Sequence, residues 1–128
     1  MQAEFILYVA DQTRSRNFYR TVLAMEPTLD VPGMTEFDLG GCNLGLMPEA
    51  GIARIVTPAL PHPGQANGIA RGELYLLVTT AEEFVGRCRA ANALEVSPLL
   101  VRDWGHRVAY FADPDGHVLA IAEPIARS

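Results

Sequence analysis

Apolar and polar positions along the chain follow one pattern that occurs twice. Each copy begins with a largely apolar run of strand character, Glu4 to Val9 in the first half and Glu73 to Val78 in the second. A helical period follows each run, beginning near Asp11 and near Thr80. Thr80 and Glu83 have the spacing of a capping box, which predicts the start of the second helix. An internal repeat of one strand and one helix is therefore the first prediction.

A bend containing proline and a β-hairpin are predicted after each helix. The first hairpin turns at Gly40-Gly41. The second turns at Asp113-Pro114-Asp115-Gly116, where proline fixes φ and glycine accepts a positive φ. A short strand is predicted before each hairpin, near Thr28 to Val31 and Glu95 to Pro98. Each half therefore has the order β-α-β-β-β, and the predicted fold class is α+β with two paired βαβββ modules.

The length of 128 residues predicts a single domain, residues 1–128, and the repeat predicts how it is organised. Module 1 covers about residues 1–50, a connector rich in proline and glycine covers 51–72, and module 2 covers 73–128. A connector of this length is either a solvated linker or a lid. Because one helix cannot shield both faces of half a sheet, we expect the two modules to need each other.

Strand alternation assigns the side chains of each module to two faces. The face expected to pack under the helices carries Phe5, Leu7, Val9, Leu74, Leu76 and Val78. The opposite face carries Glu4, Ile6, Tyr8, Glu73, Tyr75 and Leu77. Because this second face is also mostly apolar and aromatic, we expect the other module, a second subunit or a ligand to cover it.

Composition and charge exclude several classes of protein. The 128 residues are 49% hydrophobic and 20% charged, which is enough apolar material for a core without disulfides or structural metal. A net charge of -5 without a clustered basic face argues against a nucleic-acid partner. No apolar run approaches the ~18 residues of a membrane span, so we expect a soluble, cytoplasmic protein. Cys42 and Cys88 have neither metal-site nor disulfide spacing.

The sequence resembles the vicinal oxygen chelate superfamily, which includes glyoxalase I, extradiol dioxygenases, fosfomycin-resistance enzymes and bleomycin-resistance proteins. The resemblance spans nearly the whole chain. It rests on Ile6 to Asp11 leading to Ser15 and Asn17-Phe18-Tyr19, on Glu73 to Val78, and on Tyr110 to His117. It implies paired modules around an open, U-shaped cleft, and commonly two chains per assembly.

Metal-dependent members of that superfamily place histidine or glutamate at four strand positions. The resemblance maps these positions onto Glu4, Gly45, Glu73 and Ala120. Gly45 and Ala120 cannot ligate, whereas a catalytic metal ion needs about three firm protein ligands, most often including nitrogen. We therefore expect no metal and no cofactor. A divalent ion held weakly by the two carboxylates is the alternative.

Glu4 and Glu73 are the candidate catalytic residues. They hold equivalent positions in the two modules, so we expect them to approach one another in the cleft. Repulsion and desolvation then raise at least one pKa, which suits a proton acceptor or a seat for a cationic ligand. The alternative is that both are solvated at strand ends and paired with arginine. His62, His106 and His117 are expected to be structural or solvated.

The candidate ligand-binding residues are aromatic or flexible side chains near the predicted cleft: Tyr8, Phe37, Met47, Tyr75, Trp104 and Tyr110. Core packing is the competing interpretation for each of them. The first functional hypothesis is a metal-free homodimer resembling bleomycin-resistance proteins, which binds a small organic ligand in an aromatic, acidic cleft. The alternative is a glyoxalase-like lyase or isomerase with Glu4 or Glu73 as general base. A third is a module retained for partner interaction.

Overall fold

The computed structural model describes residues 1–125 of the chain. Its backbone contacts divide it into two compact units. The first contains Met1–Arg20 and Ala24–Ile69, and the second contains Thr21–Leu23 and the described chain from Ala70 onwards. Each unit has one four-stranded sheet.

The first sheet has the strand order β1-β4-β3-β2, in which β1 runs parallel to β4 and the other pairs are antiparallel. Its strands are β1 (Glu4–Val9), β2 (Leu29–Val31), β3 (Met34–Asp38) and β4 (Asn43–Pro48). The helices in this part of the chain are α1 (Gln12–Leu23), α2 (Glu49–Val56) and a 3-10 turn at Pro63–Gln65. Asp11 caps α1 by accepting a hydrogen bond from the Arg14 amide, and Ala24 ends it in the left-handed region.

The second sheet repeats this arrangement with the strand order β5-β8-β7-β6 and a parallel β5-β8 pair. Its elements are β5 (Glu73–Leu77), α3 (Ala81–Ala90), β6 (Leu94–Val101), β7 (His106–Ala112) and β8 (Val118–Pro124). The α+β class and the two βαβββ modules predicted from the repeat are therefore confirmed.

The turn between β7 and β8 is the one that the sequence indicates. One carboxylate oxygen of Asp113 accepts hydrogen bonds from the amides of Asp115 and His117. Gly116 has a φ of 87°, which glycine adopts without strain. The turn aligns β8 beside β7, so that Ala120 lies opposite Tyr110.

Two local features differ from the prediction. Helix α2 begins at Glu49 and occupies part of the segment predicted as an irregular connector. The predicted capping box at the start of α3 is wrong, because the Thr80 side chain makes no cap hydrogen bond. The amide of Ala81 instead donates to Glu123 on β8, and Glu123 is also paired with Arg107. A carboxylate at a helix N-terminus complements the helix dipole from any part of the chain.

The predicted inner faces form the cores of the two units. The inward face of the first sheet is closely packed, with Leu7, Val9, Phe37, Leu44 and Leu46 all buried. The inward face of the second sheet is also closely packed, with Phe111, Leu119 and Ile121 fully buried. Phe5 differs from the prediction, since it is 55% exposed on the edge strand β1. Within residues 1–125, no helix is long and apolar enough to cross a membrane.

Candidate functional site

A pair of carboxyl groups lies on the outer face of the first sheet. The Glu4 side chain on β1 forms a hydrogen bond with the Glu36 side chain on β3. This hydrogen bond, together with burial and the charge of Glu36, raises the pKa of Glu4 above its usual range. Because a hydrogen bond between two carboxyl groups needs a proton between them, Glu4 holds a proton more readily than an isolated glutamate does.

Gly45 explains how these two side chains meet across the intervening strand β4. In the strand register Gly45 lies beside Ile6 on β1 and beside Glu36 on β3. A Cβ atom at Gly45 would lie 2.7 Å from Oε1 of Glu4 and 3.0 Å from Cγ1 of Ile6. The missing side chain therefore leaves the space that the Glu4 carboxyl group occupies.

A cluster of aromatic side chains lies on the corresponding face of the second sheet. The register places Ala120 on β8 between Tyr75 on β5 and Tyr110 on β7. Both tyrosine rings pack against a buried floor made by Val108, Ala120 and Ala122. Because the floor residues are small, the rings can lie along the sheet, and each tyrosine keeps part of its surface exposed.

Hydrogen bonds extend this cluster toward the loop between β6 and β7. The indole Nε1 of Trp104 donates to the Tyr75 hydroxyl oxygen at 2.9 Å. The same oxygen lies 2.6 Å from Nδ1 of His106, the first residue of β7. The Trp104 side chain is 55% exposed. Trp104, Tyr75 and His106 therefore form a hydrogen-bond chain that begins at an exposed indole ring.

Charged groups flank the cluster. The Arg102 guanidinium lies 5.2 Å from the centre of the Tyr110 ring and donates to Ser97 Oγ and to the Val108 carbonyl, both at 2.9 Å. Burial is the main cause that raises the pKa of the Tyr110 hydroxyl, and the negative charge of Glu73 raises it further. Glu73 is exposed on β5, two residues before Tyr75 and on the same face. We call Glu73, Tyr75, Trp104, His106 and Tyr110 the tyrosine face.

The structure distributes the predicted site residues over both sheets. Tyr8 and Met47 are neighbours in the β1-β4 register, on the Glu4 side of the first sheet, and Tyr8 is 38% exposed. Phe37 is a correction, because it is fully buried and pairs with Leu44 on the inward face. Phe37 follows Glu36 directly in β3, so its side chain points to the opposite face of the sheet. Glu4 and Glu73 belong to different units, and their approach stays a prediction.

Sequence reasoning missed two residues of these sites, Glu36 and His106. The signal for Glu36 was present in the alternation of β3, because Thr35 and Phe37 are buried and the residue between them must face outward. The signal for His106 was weak, since the sequence does not show that Tyr75 reaches the start of β7. The distance between those side chains depends on the packing over Val108 and Ala122.

The residues at the four ligand positions do not fit the metal ion of the metal-dependent relatives. Gly45 and Ala120 offer no donor atom, and the space at Gly45 is filled by the Glu4 carboxyl group. Ala120 is fully buried beneath the two tyrosine rings. Among residues 1–125, no three or more His, Cys, Asp or Glu side chains are grouped to hold a metal ion.

A shallow depression of about 250 Å³ lies beside the start of α1 and is lined by Gln12, Thr13, Arg16, Asp30, Val31 and Pro32. Its polar groups bond one another. Arg16 pairs with Asp30 at 2.9 Å, and Gln12 donates to the Val31 carbonyl. The hydrogen bond from Thr35, followed by that from Arg16, lowers the pKa of Asp30. These bonds connect β2 to α1, so the polar residues that line the depression have a structural role.

The chain is an α+β protein built from two βαβββ units. Its first sheet carries the carboxyl pair of Glu4 and Glu36, which we call the acid pair, and its second sheet carries the tyrosine face. Residues 2–126 match the family model of the Glyoxalase-like domain, so the chain belongs to this family. The search of curated proteins found no match.

Solved structures show the same fold. A glyoxalase-related enzyme from Fulvimarina pelagi is 23% identical, with a TM-score of 0.80, over 98% of this chain and 92% of that one. A glyoxalase/bleomycin resistance protein/dioxygenase family enzyme from Burkholderia phytofirmans PsJN is 17% identical, with a TM-score of 0.81, over 96% and 98%. A glyoxalase/bleomycin resistance protein/dioxygenase from Nocardioides is 21% identical, with a TM-score of 0.77, over 100% and 85%. At these identities the likeness concerns the fold alone.

Proposed function

We propose that the protein binds a small organic ligand on the tyrosine face, without a metal ion. The observation that carries this proposal is the pair of rings, Tyr75 and Tyr110, on either side of a small buried alanine with Glu73 beside them. Flat apolar surface binds a planar ligand by burial and stacking, and a nearby carboxylate favours a positive or hydrogen-donating group. The preferred ligand is therefore an aromatic or planar compound with a cationic group.

The remaining parts of the proposal concern assembly and location. The protein forms a homodimer, as its resemblance to the superfamily suggests, and it works in the cytoplasm. Sedimentation velocity tests the assembly directly, because a dimer of a 13.9 kDa chain sediments faster than the monomer. A monomer at all concentrations tested contradicts that part.

The first experiment compares two probes that differ mainly in charge, phenethylammonium and phenylacetate. A probe with so few non-hydrogen atoms contributes only a few kcal/mol, so its dissociation constant lies near 1 mM and NMR titration is the suitable assay. At neutral pH the wild-type protein binds phenethylammonium more tightly than phenylacetate. Glu73→Gln reduces that preference several-fold, because it removes the charge but keeps a similar shape.

The control for this experiment is Glu83→Gln, an exposed carboxylate on α3 that lies outside the tyrosine face. It removes the same charge and leaves the preference unchanged. Equal binding of both probes, or an equal effect of the two substitutions, contradicts the proposal. Elemental analysis of the same protein, purified without chelator, tests the absence of metal, since a stoichiometric ion overturns that part.

A second candidate function is a lyase or isomerase reaction with Glu4 as general base. The observation in its favour is the Glu4-Glu36 hydrogen bond and the raised pKa of Glu4, since a base works best when its pKa lies near the working pH. NMR tests this function by monitoring deuterium exchange at the carbon next to the carbonyl of α-hydroxy ketones. Exchange that is faster with wild-type protein than with Glu4→Gln supports the enzyme, and no exchange above buffer contradicts it.

A further inference from the structure

The hydrogen-bond chain Trp104-Tyr75-His106 has only two consistent proton arrangements. An indole N-H can only donate, so the Tyr75 oxygen accepts from Trp104 in both of them. The contact between Tyr75 and His106 Nδ1 can run in either direction. Its direction depends on whether Nδ1 carries a proton.

When His106 is neutral and Nδ1 is unprotonated, the Tyr75 hydroxyl donates to Nδ1. The oxygen then has one lone pair left, which can accept a hydrogen bond from a ligand. When His106 is protonated, Nδ1-H donates to the Tyr75 oxygen. Both lone pairs are then used, by Trp104 and His106, and the hydroxyl hydrogen is free to be donated to a ligand.

We infer that neutral His106 carries its proton on Nε2 and is a specificity-determining residue, because protonation of Nδ1 then switches the Tyr75 hydroxyl from an acceptor to a donor toward the ligand. This inference rests on the proposed binding of ligands at the tyrosine face. It names the chemistry selected there: hydrogen-donating groups such as ammonium when His106 is neutral, and acceptors such as carboxylate when it is protonated.

Other titratable or charged groups must be separated from His106 in any test. Those on or beside the same face are Glu73 and Tyr75 on β5, Tyr110 on β7, and Arg102 and Asp103 in the loop after β6. Arg107 and Glu123 lie on the opposite face and are paired with each other.

The first test needs no ligand, because Trp104 is the only tryptophan of the chain. Its indole N-H gives one resolved signal in a proton-nitrogen NMR spectrum. Between about pH 5.5 and 8.5 this signal shifts with a single midpoint, because protonation of His106 makes the Tyr75 oxygen a poorer acceptor for the indole N-H. His106→Gln and Tyr75→Phe each abolish the titration. His62→Gln, a histidine beside the 3-10 turn, leaves it unchanged.

The second test measures the affinities of phenethylammonium and phenylacetate at both ends of that pH range. In wild-type protein the ratio of the two affinities changes about tenfold in favour of phenylacetate as the pH falls. His106→Gln and Tyr75→Phe flatten this change. Tyr75→Phe is the decisive variant, since it keeps the charge of His106 and removes only the hydroxyl group, so an effect of charge alone survives it.

The two tests separate the inference from the function on which it rests. An indole signal that does not titrate in wild-type protein, or that titrates equally in His106→Gln, overturns the inference. A pH-dependent probe ratio that persists in Tyr75→Phe overturns it as well. If the indole signal titrates as expected but neither probe binds, the coupling of His106 to Tyr75 is supported and the proposed binding function fails.

Discussion

The substitution Gly45→Ala tests how the acid pair of the first sheet is built. The new Cβ atom would lie 2.7 Å from Oε1 of Glu4, about 0.7 Å short of an ordinary contact, which begins near 3.4 Å. It would also lie 3.3 Å from Sδ of Met34. All of these neighbours are side-chain atoms, so we expect the Glu4 carboxyl group to move rather than the backbone. A displacement of this size is enough to break its hydrogen bond with Glu36.

The effect on the free energy of unfolding is small, because two terms oppose each other. Alanine in a strand interior is favoured over glycine by roughly 0.5 to 1 kcal/mol, through the lower entropy of the unfolded chain. Crowding of a packed site by one methyl group costs about 1 kcal/mol or somewhat more. We therefore expect a net change within about 1 kcal/mol and a folded variant.

The informative measurement is the pKa of Glu4, which is monitored by carbon NMR of its side-chain carboxyl group. In wild-type protein the hydrogen bond with Glu36, burial and the Glu36 charge raise this pKa above its usual range. In Gly45→Ala we expect it to fall toward the ordinary value for glutamate. Gly41→Ala is the matched control, since a Cβ atom there meets no other residue within 4 Å, and it leaves the pKa unchanged.

The same change affects how stability depends on pH. A carboxyl group with a higher pKa in the folded state binds more protons when folded at pH values between its unfolded and folded pKa. The contribution of Glu4 to stability therefore falls as pH rises through that interval in wild-type protein, and urea unfolding shows a smaller fall of this contribution in Gly45→Ala. A Glu4 pKa that stays raised in Gly45→Ala refutes the proposed role of Gly45.

Two further predictions concern the second sheet and the cysteines. Glu123→Ala removes the acceptor of the Ala81 amide and the partner of Arg107, so urea unfolding at neutral pH shows a loss of about 1 kcal/mol. Because Arg107 and then the Ala81 amide lower the pKa of Glu123, its contribution is present above the unfolded pKa and is lost as pH falls through the folded one. An acid-unfolding curve unchanged by Glu123→Ala contradicts this. Burial raises the pKa of Cys88 to about 11, so at pH 8 iodoacetamide modifies the half-buried Cys42 far faster than Cys88, as mass spectrometry shows. Equal rates in folded protein refute that reasoning, and equal rates after denaturation are the control.

The fold was predictable because local signals and the repeat agree. Asp113-Pro114-Asp115-Gly116 specifies a turn with its own side-chain acceptor and a glycine at positive φ. Alternation correctly separated Leu7 and Val9 from Glu4. Helix α2 was missed because it follows β4 directly and begins after Pro48 without a side-chain cap.

The candidate sites were predictable only in part, because side-chain partners depend on register and on empty space. The position of Gly45 indicated a lost ligand, but the sequence does not show that its missing side chain admits Glu4 beside Glu36. The cap of α3 came from Glu123, 42 residues away from Ala81, so no local motif predicts it. Tyr75, Trp104 and Tyr110 were found because aromatic residues on an outward face are visible in the alternation of the strands and the position of the loop.

Ligand binding on the tyrosine face is measured by mapping where a probe binds on the protein. Phenethylammonium is titrated into nitrogen-labelled protein at neutral pH, and the amide shifts are followed residue by residue. We expect saturable shifts at Glu73, Tyr75 and Tyr110, together with a shift of the indole signal of Trp104. Shifts confined to the depression lined by Gln12 and Asp30, or no saturable shifts anywhere, contradict it.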